Sequence, residues 1–341
     1  MDIEAVDFPT PDASVESITP KALKARIDGG EEVTILDARM TSDYEEWKVD
    51  GDTVESINVP YFQFLDEGID DDVLAKIPDD EHVTVLCAKG GASEYVAGAL
   101  ADRGYDVDHL EEGMNGWASI YETQEVTEYD GAGTLLQYQR PSSGCLGYFV
   151  YDDGEAAVID PLRSFTERYL EDAEELGVEL KYAFDTHVHA DHISGLRNLG
   201  EGGVEAVLPE AAVDRGVTYA DDVTLTSDGD TFAVGEAVIE TVSTPGHTTG
   251  MTSYLVDDSL LATGDGLFIE SVARPDLEEG DDGAPDAARM LYESLQSRVL
   301  TLDDDVLVGG AHFSDAAEPA ADGTYTAPIG DLKERMDALS M

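Results

Sequence analysis

Positive charge is scarce in this chain: 19 lysines and arginines stand against 75 aspartates and glutamates, a formal net charge of −56 over 341 residues. A field of that sign repels phosphate backbones and anionic lipid surfaces, which excludes nucleic acid and membrane as partners. The acids are spread along the chain, as in Asp70-Asp71-Asp72, Glu111-Glu112 and Asp303-Asp304-Asp305, without forming one tail. Such a surface fits a halophilic protein whose self-repulsion is screened by dissolved salt, and the fold is expected to loosen in dilute buffer. Cysteine is scarce too. Cys87 and Cys145 lie in different halves, which argues against a disulfide framework and leaves each to be read alone. No apolar run approaches membrane-spanning length. Met1-Asp2-Ile3-Glu4 places acids where a leader needs a basic region and an apolar stretch, so a cytoplasmic location is expected.

Histidine is also sparse, yet three of the seven fall within Asp185-Thr186-His187-Val188-His189-Ala190-Asp191-His192. In an extended segment His187 and His189 project to the same side, because side chains alternate with period two. Asp191 and His192 then turn the corner. Later donors follow apolar runs or tight turns: His247 in Thr244-Pro245-Gly246-His247, Asp265 in Thr263-Gly264-Asp265-Gly266, and His312 after Val306 to Ala311. Neutral imidazole and carboxylate suit zinc, iron and manganese. A lone histidine is more often an ordinary surface or core residue, but a set this dense reads as a metal site.

The first half alternates strand and helix signals, which implies a parallel sheet covered on both faces. Thr19-Pro20 starts a helix to Ile27; Val33 to Leu36 is a strand; Ser42 to Trp47 reads as helix; His82 to Leu86 is a strand; Glu94 to Arg103 is a helix. Cys87 ends the second of these strands and enters the loop Ala88-Lys89-Gly90-Gly91-Ala92-Ser93. Backbone N–H groups and a helix terminus there favour a thiolate or persulfide anion, whereas Cys145, inside an apolar strand, reads as a buried small residue. Thr123 to Gly133 is polar and reads as a linker. The second half carries strand signals at Leu135 to Tyr138, Cys145 to Tyr151, Ala156 to Ile159, Lys181 to Phe184, Val204 to Leu208 and Thr252 to Val256, with helices at Phe165 to Leu176, Ala287 to Leu300 and Asp331 to Leu339.

Two resemblances follow from these residues. Asp37-Ala38-Arg39 with Tyr44-Glu45, Ile57-Asn58-Val59-Pro60 and Leu110 to Trp117 make residues 12–125 resemble the rhodanese family, with Cys87 at its sulfur-carrying position. That family commonly has an arginine five residues after the cysteine; this chain has Ala92, and Lys89 is the loop's one cation. The departure implies a preference for persulfides over thiosulfate. The order H-x-H-x-D-H, His, Asp, His makes residues 126–341 resemble the metallo-β-lactamase-fold superfamily. The fold class implied is α/β: a rhodanese-like parallel-sheet domain followed by an αββα sandwich with the metal between the sheet edges. The superfamily's ligand positions correspond to His187, His189, Asp191, His192, His247, Asp265 and His312.

Within that superfamily, Gly144 to Tyr148, Thr186 to Gly195, Thr263 to Ile269 and Ala273-Arg274-Pro275-Asp276-Leu277 resemble persulfide dioxygenases. The resemblance implies one Fe(II) per chain on His187, His247 and Asp265, with a small-molecule thiol persulfide and O₂ as substrates and the remaining donors orienting that shell. Cys87, Asp191 and Arg274 are the candidate catalytic side chains; Arg274 binds the anionic substrate or pairs with Asp276. Phe313-Ser314-Asp315 follows His312 where the dioxygenases usually have Asp-Tyr. The alternative is a glyoxalase II-like hydrolase of thioesters or lactones with two zinc ions, His187, His189 and His247 on one, Asp191, His192 and His312 on the other, and Asp265 bridging. Only 29 residues follow His312, which is short for that family's carrier-binding helical domain. A sulfur-carrying thiol fused to a persulfide oxidiser makes a coherent pair and favours the dioxygenase. A non-enzymatic persulfide carrier or adaptor is the third reading, and a homodimer is the assembly left open.

Overall fold

The structure is a computed structural model and describes residues 14–65, 69–188, 193–276, 278, 280–314 and 316–339; the side chains at 281 and 282 are not described. His189, Asp191, His192, Leu277 and Asp315 therefore lie outside the described residues. The chain divides into two compact units, with the boundary between Ile120 and Tyr121.

In the first unit, strands Glu16–Ile18, Val107–Leu110, Val83–Leu86, Val33–Asp37 and Val54–Asn58 lie side by side in that order, all parallel. The two central strands are buried along their whole length, so their apolar runs are continuous rather than alternating. Period two then sorts the side chains. Leu36, Val83 and Val85 pack with Val96, Ala97 and Leu100 of helix Gly91–Ala101, while Val33, Ile35 and Leu86 pack with Leu23 of helix Pro20–Asp28 and Met114 of helix Gly113–Ala118. Thr19 caps the first helix, its hydroxyl accepting from the Ala22 N–H at 3.2 Å, with Pro20 as the first helical residue.

The second unit has a seven-stranded and a six-stranded sheet. The seven run in the order Thr224–Thr226, Glu205–Pro209, Glu179–Phe184, Glu155–Ile159, Cys145–Asp152, Thr134–Arg140, Glu122–Glu125, the first four parallel and the rest antiparallel. The six run Thr231–Val234, Ala237–Ser243, Thr252–Val256, Leu260–Gly264, Leu307–Gly310, Thr326–Pro328. Tyr148, Val150, Ile159 and Phe184 meet Ile239, Tyr254, Val256 and Leu307 between the sheets. Helices Thr166–Leu176 and Leu196–Glu201 cover the outside of the first sheet through Tyr169, Ala173, Leu196 and Leu199. Leu291, Leu295, Ile329 and Leu332 cover the outside of the second. These are the four layers of an αββα sandwich, each internal face held by side chains whose burial stabilises by about 1.5–3 kcal/mol apiece.

Two local readings change. Glu122–Glu125, read as domain end and linker, is a strand paired antiparallel with Leu136–Gln139. Its polarity is that of an edge strand, which needs only one paired side. The helix expected from Ala287 begins at Gly280, with Pro285 inside it, and widens into a π segment at Leu295–Val299. Proline marks a probable helix boundary in sequence, but here the packing of Leu291 and Leu295 carries the helix through it.

Candidate metal centre

His187 stands three residues past strand Glu179–Phe184, on a buried segment that its parallel neighbour holds in place. That neighbour, Glu155–Ile159, is followed directly by Asp160, which takes a left-handed conformation (φ 54°) and accepts from the Thr186 N–H at 2.8 Å and the Thr186 hydroxyl at 2.9–3.0 Å. Because the hydroxyl spends its one proton on Asp160, it accepts at the His187 Nδ1, 3.0 Å away. The tautomer follows: His187 carries its proton on Nδ1 and presents a lone pair at Nε2.

His247 reaches the same state by another route. The turn before it has Gly246 at φ 145°, where a Cβ would stand 2.4 Å from the Leu291 Cα, so the chain passes too close to the helix for a side chain. The His247 Nδ1 lies 3.3 Å from the Arg274 backbone carbonyl. A carbonyl only accepts, so Nδ1 donates and Nε2 presents the lone pair.

Asp265 follows strand Leu260–Gly264. Gly264 adopts φ 52°, and a Cβ there would fall 2.4 Å from both the Thr186 Oγ1 and the Met251 Cε. This close approach brings the carboxylate to the imidazoles: Asp265 Oδ2 is 3.6 Å from His187 Nε2 and 3.8 Å from His247 Nε2. Among the described residues, His187, His247 and Asp265 are the group whose donor atoms all lie within 4.8 Å of one another, and all three are buried. Donors about 2 Å from one ion stand roughly 3–3.6 Å apart, so this set fits a bound cation with little adjustment.

His312 does not join that group. Its Nδ1 donates to Asp265 Oδ1 at 2.6 Å, and its Nε2 lies 3.4 Å from the Cys145 Sγ. Burial alone would lower its pKa, but the bonds to Asp265 and Cys145 outweigh that and push it up to about 10. Burial likewise works against the Asp265 charge, and the neighbouring imidazoles of His187 and His312, the latter hydrogen-bonded to it, overcome that and hold the carboxyl far below the usual carboxylate range. Arg274 contributes its backbone carbonyl; its side chain is 70% exposed and paired with Asp276 at 2.5 Å.

An ion pair ties the two imidazole loops together. Arg215 donates through Nε to the Val188 carbonyl at 2.9 Å and pairs with Glu278, which accepts from the Thr249 N–H and hydroxyl at 2.7 and 2.8 Å. Sequence reading gave no role to Arg215, Glu278, Thr186 or Asp160: Thr186 stands inside the histidine motif but is no metal-ligand type, and the other three carry no motif of their own. Asp160 had one usable signal: it directly follows a strand beside the one that leads to His187.

In the first unit, Cys87 is buried at the end of strand Val83–Leu86, its Sγ accepting from the Gly90 N–H at 3.1 Å. It lines a cavity of about 170 Å³ with Ala38, Met40, Tyr61 and Ala92, and with Asp43 and Lys89 as charged groups beside Arg39. Arg39 is committed to Asp37, with contacts of 2.6–3.0 Å.

Residues 142–312 match the model of the metallo-beta-lactamase superfamily, and residues 19–120 match the rhodanese-like domain. The chain belongs to the metallo-beta-lactamase superfamily. It is an enzyme of that fold, preceded by a rhodanese-like domain, and its relatives include proteins named persulfide dioxygenase and proteins named hydroxyacylglutathione hydrolase. The mitochondrial persulfide dioxygenase ETHE1 of Homo sapiens is 32% identical over 197 residues, covering 55% of this chain and 73% of that protein. The hydroxyacylglutathione hydrolase GloC of Haemophilus influenzae is 30% identical over 181 residues, covering 48% and 82%. Among solved structures, a metallo-beta-lactamase from Staphylococcus aureus subsp. aureus COL superposes with a TM-score of 0.54 at 25% identity. That superposition covers 61% of this chain and 64% of the other, slightly under two thirds of its length.

Proposed function

We propose that this superfamily member is an iron-dependent persulfide dioxygenase, converting R–S–SH, O₂ and water into R–SH, sulfite and two protons, with Cys87 of the rhodanese-like domain as a sulfur carrier. The observation that carries the reading is the group of two imidazoles and one carboxylate, with the fourth donor, His312, turned onto the carboxylate's other oxygen. A three-donor set of this kind leaves one face of an octahedral ion open, which suits single Fe(II). Bound there, Fe(II) would supply the redox chemistry that joins O₂ to the outer sulfur. The chain's own part is to hold two imidazoles as neutral ligands, through Thr186 and the Arg274 carbonyl, and to keep the carboxylate ionised. The relatives named persulfide dioxygenase support this reading.

Cys87 would form a persulfide by attack of its thiolate on the outer sulfur of R–S–SH, with R–SH leaving. Ala38, Met40, Tyr61 and Ala92 offer apolar walls to an organic substituent, and Asp43 disfavours a small dianion such as thiosulfate. Replacing Cys87 with serine is expected to abolish sulfur transfer while leaving metal content unchanged.

The dinuclear zinc hydrolase is kept as the second reading because relatives named hydroxyacylglutathione hydrolase match at 30–36% identity. Anaerobic purification with elemental analysis, followed by oxygen-electrode assays, separates the two. One iron per chain and persulfide-dependent O₂ uptake is the expected result. Two zinc ions per chain with thioester cleavage and no O₂ uptake would overturn it.

A further inference from the structure

Cys145 begins strand Cys145–Asp152 and is buried, which ordinarily marks a small apolar filler. Its neighbours give it a second role. It sits opposite His312 in an isolated antiparallel bridge, flanked by bonds from the Leu146 N–H to the Ala311 carbonyl at 2.7 Å and from the Phe313 N–H to the Gly144 carbonyl at 2.8 Å. Gly144 is at φ 68°, and a Cβ there would stand 2.2 Å from the Phe313 carbonyl oxygen, so the two backbones meet where only glycine fits. The result is a line of side chains. The Ser143 hydroxyl donates to the Cys145 Sγ at 3.1 Å, the Sγ lies 3.4 Å from His312 Nε2, and His312 Nδ1 is 2.6 Å from Asp265 Oδ1.

We infer that Cys145 is a positioning residue of the metal centre, acting through His312 on Asp265. A ring held at one nitrogen can still turn about its terminal torsion, whose energy well is broad. Held at both nitrogens, the His312 ring plane is fixed, and with it the direction in which Asp265 presents Oδ2 to His187 and His247. The ring is held in this way whichever of the two atoms, Nε2 or Sγ, carries the shared proton. This role for Cys145 rests on the metal-centre reading of His187, His247 and Asp265, and not on which reaction runs there.

The test is Co(II) titration of the metal-free full chain, read by chelator competition and by the visible absorption of the bound ion. Cys145→Ala is expected to weaken Co(II) binding about tenfold and to shift the absorption band, as loss of an outer partner of a ligand does. The exposed Ser143→Ala should move both readings the same way by less, and Cys145→Ser should lie between wild type and Cys145→Ala. The double variant Cys145→Ala/His312→Gln should bind no more weakly than His312→Gln alone, since residues that act as one chain are not additive. A Cys145→Ala protein with wild-type affinity and spectrum, or additive losses in the double variant, would overturn the inference. If Cys145→Ala does not fold, Ser143→Ala and Cys145→Ser carry the same comparison. A wild-type chain that takes up no Co(II) removes the metal-centre reading itself, a result distinct from wild-type binding that is indifferent to Cys145.

Discussion

Thr186→Val is nearly isosteric and deletes one hydroxyl, the one that donates to Asp160 and accepts from His187. Two separable losses follow. The metal-free protein loses a buried hydrogen bond to a charged group, which costs about 1.5–3 kcal/mol. For a cooperative unit of this size each kcal/mol lowers Tm by about 2–4 °C, so the metal-free Tm should fall by about 3–12 °C. The second loss appears only with metal. His187 no longer has the hydroxyl that fixes its Nδ1 proton, and removal of such an outer partner typically weakens metal binding by about 10–100-fold. At fixed free metal that is about 1.4–2.7 kcal/mol less stabilisation, so the rise in Tm on adding metal should shrink by about 3–11 °C. The assay is paired thermal melts, with and without Co(II), of wild type, Thr186→Val and Thr186→Ser, the last keeping the hydroxyl. If Thr186→Val loses metal-free stability but keeps the full metal-induced rise, the hydroxyl is structural only and the tautomer argument for His187 is wrong.

The tie between the imidazole loops gives a second prediction: Arg215→Ala should lower both Tm and Co(II) affinity, because Arg215 and Glu278 are largely buried and join Val188 to Thr249. The exposed pair Arg289–Asp286 is the control, and Arg289→Ala should change stability by no more than about 1 kcal/mol and leave metal binding alone. Salt gives a third. With a net charge of −56, the chain should lose near-ultraviolet circular dichroism on dialysis into dilute buffer and regain it with added salt; a full native spectrum in dilute buffer would contradict the halophilic reading. The fourth concerns acid. Burial raises the Asp322 pKa, but bonds from Thr324 and Thr127 outweigh it and leave the carboxyl below its usual value. A lowered folded pKa contributes stability above about pH 3.9 that is lost as pH falls through the folded value. The advantage of wild type over Asp322→Ala in urea midpoint should therefore be full at pH 6 and narrow steadily below pH 3.9; a constant gap would refute it.

What the amino-acid order settled by itself is local in origin. Continuous apolar runs such as Val33 to Leu36 announce buried parallel strands, Thr19-Pro20 announces a capped helix, and Cys87 at a strand end before glycines announces a loop built of backbone N–H groups, because each depends on neighbours within a few residues. The candidate donors His187, His247 and Asp265 could be picked out in the same way, from residue type beside strand ends and turns, and the fold brings them together. Only the tertiary structure decided how they are arranged. It turned His312 onto Asp265 and Cys145, the latter 167 positions away in the chain, and made Glu122–Glu125 an edge strand by giving it Leu136–Gln139 to pair with. Local pattern carries no information about such distant contacts. They depend on how two sheets stack, and on glycines such as Gly264 that let one backbone come close enough for a carboxylate to reach two imidazoles.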